Sequence, residues 1–168
     1  RGAGRKVAEV LELVRDSDAV VNIELKTDVM RYLGIEAKVL EVVAASGVAD
    51  QVMFSSFNHY TLSNLRKLGA PQPLGALVDQ RLFKPWRYAA KLQVAALHPT
   101  YKACTRKLVT KCHERGLAVH TWTVDDPKDI AKQLRLGVDA IITDVPGVAV
   151  QVRDELAVRG LAPAVKPL

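Results

Sequence analysis

Residues 21–28 read VNIELKTD. Val21, Ile23 and Leu25 alternate with Asn22, Glu24 and Lys26, the period-two pattern of a strand. Successive strand side chains point to opposite faces, so three apolar residues share one face and three polar residues the other. In an open sheet covered on both sides, the second face would bury Glu24 uncompensated at a cost of several kcal/mol. In a closed barrel of parallel strands that face can look into the interior near the mouth, where catalytic groups collect at strand C-terminal ends. The stretch therefore predicts a barrel, with Glu24 and Lys26 at an active-site mouth.

Working outward, the same grammar recurs. Short apolar, β-branched runs stand at 20–26, 51–57, 73–79, 94–99, 117–124 and 139–146. Amphipathic stretches separate them. Leu33, Ala37, Leu40 and Ala44 step by four, three and four and predict one helical face. Leu108, Val109 and Cys112 do the same, as do Ile130, Ala131 and Leu134, and Val7, Val10, Leu11 and Val14 mark a first helix. Gly47, Gly69, Gly116 and Gly137 punctuate helix ends, where a left-handed residue closes the helix. Asp126 and Pro127 read as a cap and a first helical position. Alternating strands and helices with short turns predict parallel strands with helices outside. From this alternation alone, an open doubly wound sheet and a (β/α)8 barrel both remain; a full barrel usually takes about 250 residues. No GxGxxG or GxxxxGK[ST] follows a strand, which weighs against a nucleotide-binding open sheet.

Composition narrows the class. The chain has 168 residues, 49% hydrophobic and 25% charged, enough for one domain with a sizeable core. No apolar run approaches the roughly 18 residues of a membrane helix. Arg1 rather than Met opens the sequence, which reads as processing or as a piece of something longer. Net charge is +6, with a dense basic stretch at Lys102, Arg106, Lys107, Lys111 and Arg115. Helical spacing makes this a solvated face, and attraction to anionic ligands is the other reading. Aromatic residues are only 5% and none interleave with the basic stretch, so nucleic acid is not an expected partner. Cys104 and Cys112 lie about 12 Å apart along a predicted helix, too far for a disulfide. Reduced thiols fit a cytoplasmic protein.

Other runs also end in polar groups: Ser55, Ser56, Asn58 and His59; His98; Thr121 and Thr123; Thr143 and Asp144. A carboxylate and a lysine at such a rim suit a phosphate ester, the carboxylate holding a divalent cation and the ammonium meeting a phosphate oxygen. The series NIELK, MFSSFNH, PLG, AALHPTY, GLAVHTWTVDDP, LGVDAIITDVP, in that order and spacing over about residues 7–150, resembles the glycerophosphodiester phosphodiesterases. The resemblance implies a (β/α)8 TIM barrel of the phospholipase-C-like type, here partial, with about six parallel strands and outer helices. It implies metal-dependent hydrolysis of glycerophosphodiesters to glycerol 3-phosphate and an alcohol, with Ca²⁺ or Mg²⁺. Residue by residue, Glu24 matches a metal-ligand carboxylate and Lys26 the lysine near the phosphate. Phe57 and Trp122 match apolar groups lining the substrate pocket, and Asp144 a structural strand end.

The family pattern also has an HRG segment, an E-x-D pair and an H-D pair before the ELK strand, carrying both catalytic histidines. About 20 residues precede ELK here, without a histidine, and none of His59, His98, His113 and His120 matches that pair. No catalytic residue is therefore expected in this chain, which reads as the C-terminal two-thirds of such an enzyme and as inactive alone. A non-catalytic barrel module binding phosphoesters or a partner is the alternative. His113 is expected in solvent, His120 as structural and His98 at the rim. Residues 1–160 are expected to form one incomplete barrel domain, with a loose tail at 161–168. Unpaired strand edges are expected to favour self-association.

Overall fold

The computed structural model describes residues 3–30 and 32–160, with residues 3–6 as backbone only. The predicted tail at 161–168 lies outside the described residues. The chain divides into two compact units, Arg1–Ala76 and Leu77–Leu168.

The first unit contains α1 (Ala3–Leu13), β1 (Val21–Glu24), α2 (Ile35–Ala45), a 3-10 turn (Ala49–Gln51), β2 (Val52–Ser56) and α3 (His59–Lys67). It also holds most of β3 (Leu74–Val78), which crosses the division between the units. β1 and β2 run parallel with Val21 opposite Val52 and Glu24 opposite Ser55. β2 and β3 run parallel with Phe54 opposite Leu74. Leu11, Val43, Val52, Phe54, Leu62, Leu65 and Leu74 are fully buried. The Arg15 guanidinium donates to the Glu12 carboxylate and, at 2.9 Å, to the Ser46 carbonyl beyond the end of α2.

The face predicted for α2 is corrected. Leu33 precedes the helix and is exposed, and Ala37 and Ala44 are exposed, whereas Val39 and Val43 are buried. Ile35, Val39, Leu40, Val42 and Val43 give two overlapping stripes of helical spacing. Burial of apolar area decides between them, and the valine stripe hides more area than the alanine stripe.

The second unit contains α4 (Pro85–Lys91), β4 (Ala96–Pro99), α5 (Arg106–His113), β5 (Ala118–Thr121), α6 (Pro127–Leu136), β6 (Ala140–Ile141) and α7 (Pro146–Val158). β4 and β5 are parallel with Ala96 opposite Ala118, and β5 and β6 with His120 opposite Ala140. Asp126 caps α6 by accepting from the amides of Lys128 and Asp129. Gly137 closes that helix at φ 80°, a conformation a Cβ disfavours. Asp126→Ala is expected to cost about 1 kcal/mol, read as a lowered urea midpoint with unchanged slope.

Two boundaries differ from expectation. β6 is shorter than the apolar run at 139–146, because the Thr143 hydroxyl and the Asp144 amide both donate to the Asp125 carboxylate at 2.9 Å. That pair draws the chain away from ladder geometry. Helix α5 starts only at Arg106, capped by Thr105, so Cys104 precedes it; both cysteines are free thiols.

All six predicted strands are present, and the sheet order is β1-β2-β3-β4-β5-β6. A doubly wound sheet reverses its order part-way. An order without reversal is the strand order of a (β/α)8 barrel.

Candidate active site

In the first unit the alternation read from VNIELKTD holds. Asn22, Glu24 and Lys26 are exposed, Val21 and Ile23 half-buried, and Leu25 buried. Hydrogen bonding fixes the backbone just after β1. The Leu25 amide donates to the Ser55 carbonyl at 2.8 Å. The Ser56 hydroxyl donates back to the Leu25 carbonyl at 2.6 Å. The Asn58 side-chain amide donates to the Thr27 carbonyl at 3.1 Å, and the Thr27 and Thr61 hydroxyls lie 2.6 Å apart. Lys26 thus stands on a pinned backbone between two buried residues. Asn58 also caps α3, leaving His59 as its first residue.

The adjacent C-terminal ends of β1 and β2 therefore carry Glu24, Lys26 and, half-buried one residue past β2, Phe57. Beside Glu24 in register, the Ser55 hydroxyl is buried and has no hydrogen-bond partner among the described residues. An exposed carboxylate and ammonium two residues apart at the end of β1 can meet a cation and a phosphate oxygen. A complete Ca²⁺ or Mg²⁺ site is another matter, since such an ion takes about six or more oxygens. Among the described residues no three His, Cys, Asp or Glu side chains gather to hold a metal. Glu24 alone does not make that site.

In the second unit, Trp122 lies one residue past β5. Its indole N–H donates to the His98 carbonyl at 2.7 Å, and its backbone carbonyl accepts from the Tyr101 amide at 3.0 Å. The ring is thereby fixed across the ends of β4 and β5 and is half-buried. Asp144, exposed, contributes its amide to the Asp125 pairing described above.

Beneath Trp122 lies an arrangement that sequence reasoning missed. The rings of His98 and His120 pack with centroids 4.6 Å apart at 33°. His98 is fully buried, not at the rim, and His120 is 4% exposed. Neither His98 nitrogen, nor Nε2 of His120, has a hydrogen-bond partner among the described residues. Burial, and secondarily the neighbouring His120, push His98 down to about 3. Burial also lowers His120, against the opposing pull of Asp139. Both rings are neutral at pH 7, and their inaccessibility makes them poor general acids or bases. The signal was in the sequence: Ala96-Leu97-His98 and Ala118-Val119-His120 place a histidine third in each of two adjacent strands. His113 is exposed, as expected, and its Nε2 also pairs with the Asp139 carboxylate at 2.8 Å. The same carboxylate oxygen accepts from the Val119 amide at 2.7 Å. It thus ties the end of α5 to the start of β5.

A model of the Glycerophosphoryl diester phosphodiesterase family matches residues 6–148. The chain belongs to this family. A glycerophosphodiester phosphodiesterase of Caldanaerobacter subterraneus subsp. tengcongensis is 38% identical over 138 residues, 82% of this chain and 57% of that protein. One from Bacillus altitudinis is 37% identical over 151 residues, covering 88% and 62% respectively. The chain thus spans less than two thirds of either relative. Among solved structures, a Silicibacter pomeroyi protein assigned as a glycerophosphoryl diester phosphodiesterase matches with a TM-score of 0.81 at 27% identity, over 93% of this chain and 57% of that one. An Oleispira antarctica phosphodiesterase, solved with its product sn-glycerol-3-phosphate, matches with a TM-score of 0.77 at 24% identity, over 88% and 60%. At that identity the second match speaks to the fold alone. The expected partial (β/α)8 architecture of six parallel strands is that of the family, whose named members are phosphoric diester hydrolases. Among the described residues no helix is long and apolar enough to cross a membrane.

Proposed function

We propose that this chain forms one flank of the phosphate site of a glycerophosphodiester phosphodiesterase. The observation that supports this is the exposed Glu24–Lys26 pair, on a pinned strand end beside Ser55, in a chain of this family. In this reading Lys26 meets a phosphate oxygen. Glu24 supplies one carboxylate to a Ca²⁺ or Mg²⁺ ion whose other ligands are not among the described residues. Phe57 and Trp122 offer apolar surface to the glycerol or alcohol moiety. The product held by the Oleispira relative, sn-glycerol-3-phosphate, makes that compound the natural probe.

The 168-residue chain alone is proposed to bind but not to turn over. His98 and His120 are buried and neutral, and His113 is engaged by Asp139. Titration calorimetry is expected to show weak glycerol 3-phosphate binding, reduced about tenfold or more by Lys26→Met, the loss of one charged contact. Glu24→Gln is expected to remove any Mg²⁺ or Ca²⁺ dependence. Both side chains are exposed, so each variant should keep its stability within about 0.5 kcal/mol. Absence of glycerol 3-phosphate binding with either cation would sink the phosphate site. Hydrolysis of glycerophosphocholine by this chain, lost in Glu24→Ala, would overturn its inactivity. Self-association through strand edges remains part of the proposal; a monodisperse monomer in sedimentation would remove it.

A further inference from the structure

The second unit holds a cavity of about 490 Å³ between segment 80–87 and α5. Its inner wall includes Val78, Leu97, Pro99 and Leu108, all buried. Its mouth carries Arg81, Lys84, Arg87, Lys107, Lys111 and Arg115, and no Asp or Glu lines it. Glu114 lies 2.7 Å from the Lys111 ammonium and 3.6 Å from the Arg115 guanidinium. Among the described residues no ion pair engages Arg81, Lys84, Arg87 or Lys107, and the nearby Asp79 shares a shallow surface pocket with Arg81 and Lys102. Beside them the loop after β3 presents Phe83, 87% exposed, and Leu82, 42% exposed. The Lys84 ammonium sits 4.8 Å from the centre of the Phe83 ring. Lys84 holds this turn at φ 51°, a left-handed position that glycine would occupy at lower cost.

An apolar tip ringed by cations matches one kind of partner closely. A negatively charged bilayer attracts the lysines and arginines through its surface potential. Its headgroup boundary then takes up the aromatic ring that water leaves unfavourably exposed. We propose that segment 81–88, with the basic face of α5, docks this chain on an anionic lipid surface. Loops that follow parallel strands lie at one end of the sheet, so this loop projects from the same strand ends as Trp122. Docking there would present those strand ends to the lipid boundary. The proposal stands independently of the phosphate site.

Co-sedimentation of the whole chain with vesicles tests it. Phosphatidylcholine vesicles containing phosphatidylglycerol are expected to bind at least about tenfold more chain than phosphatidylcholine alone, and about 0.5 M salt should abolish the difference. Phe83→Glu, and separately the triple Arg81→Ala, Lys84→Ala, Arg87→Ala variant, should each lower binding about tenfold or more. All four positions are exposed, and urea midpoints check that the variants fold. The intrinsic fluorescence of the chain, whose tryptophans are Trp86 in the cavity wall and Trp122 at the strand ends, should shift to the blue with anionic vesicles only. Equal binding to neutral vesicles would overturn the proposal. So would binding that neither variant weakens. Occupation of the cavity by a soluble short-chain amphiphile below its micelle threshold, with no vesicle binding, would also overturn it.

Discussion

Lowering the pH from 7 towards 4 is expected to cost stability at up to about 1.4 kcal/mol per pH unit through the buried His98, with buried His120 adding a loss in the same direction. The folded chain holds His98 far below the ordinary imidazole value, at about 3, and lowers His120 as well. In the unfolded chain both rings protonate near 6.5. Above that value neither state binds the proton and stability is intact. As the pH falls below it, the unfolded state takes up protons that the folded state refuses, and stability drops. For His98 the loss continues until the pH approaches 3. Urea midpoints from pH 7.5 to 4 measure it. Carboxylates also contribute to acid unfolding, so the decisive quantity is the difference between the chain and its His98→Leu variant. That variant should have a flatter pH dependence by about one proton, whatever its stability at pH 7. Parallel curves would show that the imidazole is not shielded as the structure places it.

Phe54→Ala should produce the largest single loss of stability, about 3–5 kcal/mol. The ring is fully buried in β2, opposite Ile23 of β1 and Leu74 of β3. Removing it takes apolar area from the core and leaves a cavity that three paired strands cannot readily close. Total stabilities of about 5–15 kcal/mol are usual, so this variant should unfold at far lower urea. Phe83→Ala is the matched control, because its ring is exposed; it should move the midpoint by no more than about 0.5 kcal/mol. Similar effects from the two substitutions would contradict the assignment of β2 to the core.

The strands were legible because each lies in a short apolar run bounded by a glycine or polar turn. The four glycines read as helix ends all adopt positive φ, from 67° at Gly116 to 82° at Gly69. The α2 face was not legible because its segment is apolar on more than one side, and spacing cannot rank two stripes that both satisfy it. The end of β6 was hidden for a different reason. Asp125 captures Thr143 and Asp144 from 18 and 19 residues away in sequence, a long-range bond that a local pattern does not reveal. The same holds for His113, whose partner Asp139 is 26 residues off.

At the candidate site, the polar face of β1 could be read from alternation, and the resemblance attached roles to it. The histidine pair needed the register of β4 against β5, which places the two rings side by side. Taken singly, each histidine looked like a lone residue in an apolar run. The basic stretch of α5 was visible as charge. Its apolar neighbour at Leu82 and Phe83 lies some 20 residues earlier in sequence, joined to it only by the fold.

Cys104 and Cys112 are buried in the second unit, and burial drives each thiol up to about 11. Alkylating reagents attack the thiolate, which at neutral pH these sulfurs almost never become while enclosed. Modification therefore has to wait until the surrounding packing opens, so its rate records how often that region breathes. Nature has in effect installed a pair of clocks inside the second unit, readable by mass spectrometry without adding a label.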